Sequence, residues 1–374
     1  MKRAHKIRIY PNNVQRTALL RHCGCARLAY NVCLSRWNDD YANDIRHNYY
    51  SIKKWFNSIK GEKYPFVYEV SKWACEAAIA DLDGAFKRFF NKQNEHPAFH
   101  KKGIHDSFRI DGSVIKLDGN ILHLPKGLCL RMAEPLRYEP IKIYNVTISK
   151  TANRWFASVQ CEVPESENQA EGAIGIDLGI NQSATLSDGT VYENIKIERE
   201  YRRKLARAQR SLHRKQIGSK NRDKARMRLA TIYWRMANKR NDNTHKLTTE
   251  VTKKYATVCL EDLNVAGMVK NHNLAKAISD VSFGEIRRQF EYKAKATRLA
   301  ERFEPTSKQC CECGKVHDMP LHKRRMMCEC GNNRDRDFNA AINILRLAQK
   351  NNLPMANRKV KACGQDIILD EAGI

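Results

Sequence analysis

Four cysteines in the last quarter of this 374-residue sequence have the spacing of a metal site. Cys310 and Cys313 form a CxxC pair, and after fourteen intervening residues Cys328 and Cys330 form a CxC pair. Two short cysteine pairs at this separation are typical of a zinc ribbon, in which four thiolates bind one Zn²⁺ tetrahedrally. A glycine follows each pair and supplies the backbone turn that such a knuckle needs. We therefore predict a structural zinc site, although the second pair is one residue shorter than the usual CxxC.

Three neighbouring side chains are alternative ligands, namely Cys311, His317 and His322. The paired pattern favours the four cysteines over them. The simplest alternative is a set of buried free thiols, against which the glycine after each pair argues.

Acidic residues stand at the ends of two segments that we interpret as buried strands. AIGIDLG is apolar on both faces up to Asp177, and TVCLEDLNV repeats the pattern up to Glu261 and Asp262. A central strand normally excludes carboxylates. The first segment opens three successive strands, the last two joined through Asp188-Gly189, and a helix precedes the second segment. This is the ribonuclease H arrangement, in which the fourth strand lies beside the first, so the two strand-end acids should converge.

A third acid begins the apolar face of a helix. In DFNAAINILRLAQK, Asp337 shares one face with Ala341, Ile344, Leu345 and Ala348, so this acid should meet the sheet. Three carboxylates at one sheet edge repel one another unless cations hold them, and hard oxygen ligands select Mg²⁺ or Mn²⁺. A pair of such ions can activate a water and stabilise the leaving oxygen in phosphodiester cleavage. The residues alone therefore predict a metal-dependent nuclease.

Each acid also has a simpler interpretation. Asp337 is a good N-cap, which taken alone is its more common role, Asp177 suits a turn cap at DLG, and Glu261 suits a solvated strand end. The order strand, strand, helix with fitting spacing favours the metal site over three coincidences.

The first part of the chain is predicted to be a small β structure with a helical insertion. KIRIY is a short strand, residues 13–95 are mostly helical, and residues 107–163 alternate like β structure. One hairpin is expected around Asp118-Gly119 and another from IKIYNVTISK and RWFASVQCEV. We predict a small barrel whose first strand is KIRIY, followed by a polar linker at residues 164–172.

The balance of 67 Lys and Arg against 41 Asp and Glu, a net charge of +26, predicts a polyanionic partner such as nucleic acid. Residues 199–246 are predicted to be helical, dense in Arg and Lys and nearly free of acids, which suits RNA phosphates better than a solvated helix pair. The candidate nucleic-acid-binding residues there are Arg202, Arg203, Lys204, Arg207, Arg210, Arg214, Lys215, Arg222, Lys239 and Arg240. Weaker candidates near the first strand are Lys2, Arg3, Lys6, Arg8 and Tyr10.

The sequence contains no apolar run of about 18 residues, and MKRAHKIRIY lacks the apolar core of a signal peptide. We expect a soluble, cytoplasmic protein without a membrane partner or a small-molecule substrate. Thirteen cysteines are an odd number, and nine lie outside the paired motifs, which favours buried thiols in a reducing compartment over a disulfide framework. These nine are Cys23, Cys25, Cys33, Cys75, Cys129, Cys161, Cys259, Cys311 and Cys363.

GIDLGI, LEDLNVAGM, TSKQCCECG and DRDFNAAINIL, in this order, resemble the RuvC and zinc-ribbon signatures of TnpB, the transposon-encoded RNA-guided DNA endonucleases related to type V CRISPR effectors. These motifs span residues 175–345, and FGEIRRQFEYKAKA also resembles the family. The front half matches more loosely, chiefly in KIRIYPN and SFRI. By motif position, the resemblance implies a catalytic triad of Asp177, Glu261 and Asp337, in preference to their neighbours Asp262 and Asp335.

The resemblance implies an α+β multidomain protein with a β-barrel wedge domain, a helical insert, an RNase H-like (RuvC) nuclease domain and an inserted zinc ribbon. The implied domains are the wedge-like barrel in residues 1–12 and 96–165, a helical recognition domain in 13–95, the nuclease domain in 166–304 and 332–350, the ribbon in 305–331, and a polar tail without assigned function in 351–374.

The implied partners are a guide RNA from the transposon end and target double-stranded DNA, which is cut on both strands beside a short flanking motif. The implied cofactors are Mg²⁺ or Mn²⁺ at the three acids and Zn²⁺ in the ribbon, and the implied location is the nucleoid of a prokaryotic cytoplasm. The ribbon would act as a structural clamp and strand-loading element beside the cleavage site.

Three other functions rank below this one. An RNA-guided repressor that has lost cleavage should have a damaged triad, whereas this chain keeps all three acids. A nuclease or transposase acting without guide RNA is compatible with the same fold, and RNA copurification separates the two. A zinc-ribbon DNA-binding factor without enzyme activity leaves the buried strand acids unexplained.

Overall fold

The computed structural model describes residues 1–104, 106–164, 169–272, 274–302, 304–320 and 322–350. The chain divides into two compact units, residues 1–166 and 167–374, and the division falls within the predicted linker at 164–172. The predicted tail at 351–374 lies outside the described residues. The finer subdivision into wedge, recognition, nuclease and ribbon domains stays a prediction.

The first unit is built from two antiparallel sheets and a group of helices. Its strands are β1 (Lys2–Ile9), β2 (Ser107–Asp111), β3 (Lys116–Asp118), β4 (Ile121–Leu124), β5 (Leu128–Arg131), β6 (Lys142–Thr151) and β7 (Arg154–Glu162), and its helices are α1 (Asn13–Tyr41), α2 (Tyr49–Lys63) and α3 (Lys72–Phe90). Helix α1 begins with a capping box in which Asn12 and Gln15 each accept a hydrogen bond from the other's backbone N–H.

One sheet has the order β1-β7-β6-β2 and the other β3-β4-β5. The two hairpins predicted from the sequence, β3-β4 and β6-β7, are confirmed. An isolated bridge between Ile9 and Met132 joins the sheets, and Ile110 and Leu122, one from each sheet, are completely buried in a shared core. Closure into a barrel stays a prediction.

The second unit contains the segments with the candidate site residues. Its strands are β8 (Glu171–Asp177), β9 (Gln182–Leu186), β10 (Val191–Glu193), β11 (Tyr255–Glu261), β12 (Ala296–Ala300), β13 (Arg325–Met327) and β14 (Asn333–Asp335), and its helices are α4 (Ile197–His213), α5 (Lys220–Lys254), α6 (Val265–Val269), α7 (Ala275–Val281), α8 (Phe283–Lys293) and α9 (Arg336–Lys350).

Five of these strands form a sheet in the order β10-β9-β8-β11-β12. As predicted, β11 pairs with β8, and the pairing is parallel, with Val258 opposite Ile174. Strand β12 also runs parallel to β11, so the carboxyl ends of β8, β11 and β12 meet at one edge. Helices α5, α7 and α8 cover one face of the sheet and α9 packs on the other. This double cover explains why the strand sequences are apolar on both faces.

The described cysteines are all free thiols, which agrees with the expected absence of a disulfide framework for this part of the chain. Of the singly placed ones, Cys129 is exposed and the other described members are buried. None of the described helices combines the length and the apolar character that crossing a membrane requires.

Candidate functional site

The structure places the three predicted acids around one edge of the large sheet. Asp177 is the last residue of β8, Glu261 is the last residue of β11, and Asp337 lies in the first turn of α9. Each side chain is partly buried. We call these three residues the acid site.

Gly175 explains how α9 reaches the sheet edge. A Cβ atom at this position would lie 2.1 Å from the carbonyl oxygen of Ala341 and 2.8 Å from the Cβ of Leu345. The backbone of α9 therefore approaches β8 more closely than any side chain permits. This close contact, two residues before Asp177, sets where the first turn of α9 and Asp337 can lie.

We expect Gly175→Ala to destabilise the second unit by about 1–3 kcal/mol, the usual cost of forcing extra volume into a packed interior, and to lower any activity of the acid site. Chemical denaturation of the full chain measures the free energy of unfolding. Gly284→Ala is the matched control, since a Cβ there meets nothing within 4 Å and Gly284 is helical. Equal stability of the two variants would contradict the close approach of α9 to β8.

The acid site is electrostatically strained in the absence of a cation. Burial, and next the charges of Asp337 and Glu261, raise the pKa of Asp177 to about 7. Burial, with the neighbouring Asp262, raises the pKa of Glu261, and burial, with the neighbouring Asp335, raises that of Asp337. Each of the three carboxyl groups is thus harder to ionise than a solvent-exposed one, and the charges of the other two act directly on Asp177.

The two acids ranked lower from the sequence have other partners. Asp335 accepts hydrogen bonds from the backbone N–H groups of Asp337, at 2.9 Å, and Phe338. Asp335 therefore takes the capping role that was the simpler interpretation of Asp337, and this interpretation is wrong. Asp262 binds the guanidinium groups of Arg287 and Arg302, each at 2.7 Å. Burial alone would raise the pKa of Asp262, but the two arginines outweigh it and lower the pKa.

The four paired cysteines form a compact group, which we call the cysteine cluster. Their Sγ atoms all lie within 4.8 Å of one another, and no other group of three or more acidic, His or Cys ligand atoms is so close in the described part of the chain. Cys310 and Cys330 are 3.6 Å apart and Cys313 and Cys328 are 3.5 Å apart, measured between Sγ atoms. Tetrahedral Zn²⁺ with bonds of about 2.3 Å needs sulfur atoms about 3.8 Å apart. The donor set and its spacing fit zinc.

Both glycine turns predicted for the cluster are present. The N–H of Gly314 donates to the carbonyl of Cys310 and the N–H of Gly331 to that of Cys328, both at 3.0 Å. The φ angles of the two glycines are 79° and 91°, a region that residues with a Cβ rarely adopt. Each pair thus lies on a tight turn that points both thiols inward.

Of the alternative ligands, Cys311 and His322 lie outside the cysteine cluster, whereas His317 contacts one of its sulfur atoms. Cys311 is buried, and its Sγ accepts a hydrogen bond from Arg334 at 3.3 Å. His317 Nε2 lies 3.2 Å from the Sγ of Cys328, and His322 is exposed.

Burial by itself raises the pKa of Cys310, but hydrogen bonds, chiefly from the Cys313 backbone and the Asn332 side chain, outweigh it and lower the pKa to about 6.

The ten candidate nucleic-acid-binding residues separate into two groups. Three have protein partners: Arg222 donates to the carbonyl oxygens of Leu212 and Lys215, Lys239 pairs with Glu200, and Arg240 forms a two-bond ion pair with buried Asp280. The other seven are exposed on α4 and the loop after it, namely Arg202, Arg203, Lys204, Arg207, Arg210, Arg214 and Lys215. The exposed group is the part of the prediction whose charge is available to a phosphate.

Three buried asparagines were not among the residues predicted from the sequence, namely Asn332, Asn339 and Asn343. A signal was available, because Asn339 and Asn343 interrupt the apolar residues of α9 at a spacing of i, i+4, which places both on one side of the helix.

Three segments of the chain match known families. Residues 156–272 match the family described as "Probable transposase", residues 283–344 match "Cas12f1-like, TNB domain", and residues 1–46 match "Helix-turn-helix domain". In that last range the structure has strand β1 followed by the single continuous helix α1.

Two relatives match over nearly the whole chain. A protein of Streptomyces pristinaespiralis named "Putative RNA-guided DNA endonuclease" is 37% identical over 383 residues, which cover 98% of this chain and 92% of the relative. A protein of Escherichia coli K12 named "Putative RNA-guided DNA endonuclease InsQ" is 30% identical, with 98% of this chain and 95% of the relative covered. The chain belongs to the TnpB family. Matches at 25% identity over half of this chain include a mimivirus protein named "TnpB-like protein L79".

Solved structures place this TnpB family member in a wider fold group. A cryo-EM structure of a Cas12f1-sgRNA-target DNA complex superposes with a TM-score of 0.54 at 13% identity, covering 92% of this chain and 98% of that one. A cryo-EM structure of CasPhi-2 (Cas12j) bound to crRNA gives a TM-score of 0.51 at 8% identity, covering 93% and 98%. The chain therefore has a Cas12-like, mixed α/β fold.

Proposed function

We propose that this TnpB family member is an RNA-guided DNA endonuclease of an insertion sequence, which cleaves double-stranded DNA beside a short flanking motif. The observation that supports the proposal is that Asp177 and Glu261 end two paired parallel strands, while Asp337, in the first turn of α9, is near enough for its charge to raise the pKa of Asp177. The names of the two nearly full-length relatives support the same activity.

We propose further that the second unit is a RuvC-like nuclease domain with an inserted zinc ribbon. The central pairing of β8 with β11 and the packing of α9 on the opposite face from α5 support the ribonuclease H arrangement. In the first unit, the two sheets and the helices α1 to α3 would form the wedge and recognition domains.

The acid site would hold Mg²⁺ or Mn²⁺, the hard cations that carboxylate oxygens prefer. A bound pair of these ions supplies an activated water and charge stabilisation for phosphodiester cleavage. The chain contributes the fixed positions of three carboxylates on two strands and one helix. It also contributes Arg336, whose positive charge opposes the rise in the pKa of Asp177 and so favours the ionised form that binds cations.

The cysteine cluster would hold Zn²⁺ as a structural ion. The four cysteine sulfurs would occupy all four positions of a tetrahedral ion, so the site would leave no coordination position open for a substrate.

The exposed arginines of α4 would contact guide RNA phosphates. We expect the triple variant Arg203→Gln, Arg207→Gln and Arg210→Gln to weaken RNA binding and to reduce the slope of log K against log salt by about 0.7 for each phosphate that is no longer neutralised. Filter binding across a salt series measures the slope. Arg222→Gln is the control, because Arg222 donates to backbone carbonyls and its replacement should change stability without changing the slope. An unchanged slope in the triple variant would contradict this RNA surface.

The deciding experiment is to express the protein together with the transposon end that flanks its gene, purify it, and sequence the bound RNA. A discrete RNA that ends in variable flanking sequence, followed by Mg²⁺-dependent cutting of matching DNA, is the expected result. Absence of a discrete RNA would favour a nuclease or transposase that acts without a guide. Bound RNA with target binding but no cutting would favour a repressor.

A further inference from the structure

A buried amide joins the cysteine cluster to the helix that carries Asp337. The side chain of Asn339 is completely buried two residues after Asp337. Its Oδ1 accepts a hydrogen bond from the N–H of Cys311 at 2.9 Å, and its Nδ2 donates to the carbonyl of Gln309 at 2.7 Å. The Asn339 amide therefore pairs with both peptide groups that flank Cys310.

A second buried amide extends the connection to the metal-binding sulfur itself. Asn332, which follows the second glycine turn, is 6% exposed. Its Nδ2 lies 3.2 Å from the Sγ of Cys310 and 3.2 Å from the Oδ1 of Asn339. One N–H₂ group thus contacts both a thiol of the cysteine cluster and the amide beside the acid site.

These contacts are more than packing. The apolar side of α9 already binds the sheet through residues such as Ala341 and Ile344, and that packing needs no amide. A buried polar group destabilises the fold unless it is paired. The Asn339 amide is paired at both its oxygen and its nitrogen, whereas Asn332 is paired through its Nδ2 alone and its buried Oδ1 has no partner among the described residues. The pairing of Asn339 therefore selects one position of α9 relative to Cys310.

Asn343, one turn further along α9, offers a natural comparison. It is also buried, and its Nδ2 donates to the carbonyl oxygens of Thr306 and Gln309 at 2.8 and 2.7 Å. These bonds attach α9 to the chain before Cys310, at a greater distance along the helix from Asp337.

We propose that Asn332 and Asn339 are positioning residues through which the metal-loaded cysteine cluster fixes Asp337, and so sets the cation affinity of the acid site. The inference rests on the proposed function, since it assumes that the acid site binds divalent cations. Side chains that hold a metal ligand in place commonly change metal affinity by about 10–100-fold when removed. Here the same kind of effect would act between two sites on one chain.

The test measures Mn²⁺ binding to the zinc-loaded, full-length chain from the EPR signal of free Mn²⁺. The same protein carrying Asp177→Asn is the blank that isolates the acid site. We expect Asn339→Ala to weaken Mn²⁺ binding about tenfold or more. Asn343→Ala should lower the melting temperature about as much as Asn339→Ala does. Its Mn²⁺ affinity should stay within about threefold of that of the unsubstituted chain. Equal losses of Mn²⁺ affinity in the two variants would overturn the inference.

Coupling is tested by removing zinc from each protein with a chelator, removing the chelator by dialysis, and repeating the Mn²⁺ titration. Zinc removal should weaken Mn²⁺ binding in the unsubstituted chain but have little further effect in Asn339→Ala, because the connection is already broken. If zinc removal weakens Mn²⁺ binding by the same factor in the unsubstituted chain and in Asn339→Ala, the coupling is overturned. Asn332→Ala is a second test of the connection. It keeps all four thiols and both hydrogen bonds between the Asn339 side chain and the backbone, and it should also weaken Mn²⁺ binding. If Asp177→Asn leaves Mn²⁺ binding unchanged, the proposed function itself fails, an outcome distinct from failure of the amides alone.

Discussion

Replacing Asp177 by asparagine should abolish DNA cleavage and, in the metal-free protein, raise the melting temperature. Cleavage should fall about a thousandfold or more, since a metal ligand supports several kcal/mol of transition-state stabilisation. The stability gain has a separate cause. Asp177 is held among two other acids in a partly buried position, so its negative charge opposes folding when no cation is present.

The sign of the pH dependence follows from the direction of the pKa change. The pKa of Asp177 is about 7 in the folded chain against 3.8 for an unperturbed group. The carboxyl group therefore does not destabilise the fold below pH 4, its cost grows between pH 4 and pH 7, and the cost is complete above pH 7. At about 1.4 kcal/mol for each pKa unit, ionised Asp177 lowers the free energy of unfolding by up to about 4 kcal/mol. The stability difference between Asp177→Asn and the unsubstituted chain should widen over this range and then level off.

Thermal unfolding at several pH values, in EDTA-free buffer without divalent ions and again with Mg²⁺, measures this difference. Asp262→Asn is the matched control, because the two arginines lower the pKa of Asp262 and its neutralisation should destabilise the protein instead. Added Mg²⁺ should stabilise the unsubstituted chain and not the Asp177→Asn variant. A lower melting temperature for Asp177→Asn at pH 8 without metal would contradict the strained acid site.

Replacing Cys310 by serine should remove zinc and unfold the region around the cysteine cluster. Structural zinc contributes folding free energy directly, and its apparent binding free energy in small zinc domains is about 10–16 kcal/mol. Even a loss of about 5 kcal/mol would lower the melting temperature by roughly 10–20 °C in a unit of this size. Zinc content by mass spectrometry and a thermal scan of the same sample provide the two measurements.

The neighbouring Cys311→Ser variant is the control for this substitution. Cys311 is equally buried and lies next to Cys310, but its sulfur faces Arg334 outside the cysteine cluster. It should keep its zinc and most of its stability. If Cys310→Ser retains zinc and its melting temperature, or if Cys311→Ser loses zinc instead, the assignment of the four ligands is wrong.

The strands and helix that carry the acids were predictable because their patterns are local. The apolar run before Asp177 and the periodic face that begins at Asp337 depend on residues within a few positions. The turn at Asp188-Gly189 was readable for the same reason, and the structure has β9 and β10 on either side of it. The CxxC and CxC spacing also indicates its chemistry without knowledge of the fold.

The partners of individual polar groups were not predictable. Asp262 and Arg302 are brought together only by the parallel pairing of β11 with β12. Arg240 of α5 meets Asp280 of α7, forty residues later, only in the folded chain. Nothing in the sequence near Arg240 separates it from the exposed Arg203. The sequence therefore predicts a charged surface, but it does not show which of the arginines form ion pairs and hydrogen bonds within the protein.

The order of the acids along the chain has a consequence for synthesis on the ribosome. Strand β8 emerges first, then the basic helices α4 and α5, and α9 with Asp337 comes last among the described elements. A nascent or prematurely terminated chain that lacks α9 already presents the exposed arginines of α4 but has only two of the three acids. Because α9 covers the buried residues Cys259 of β11 and Ala300 of β12, a chain without α9 also exposes apolar surface of the sheet. The acid site is thus complete only after the exposed arginines of α4 have been synthesised.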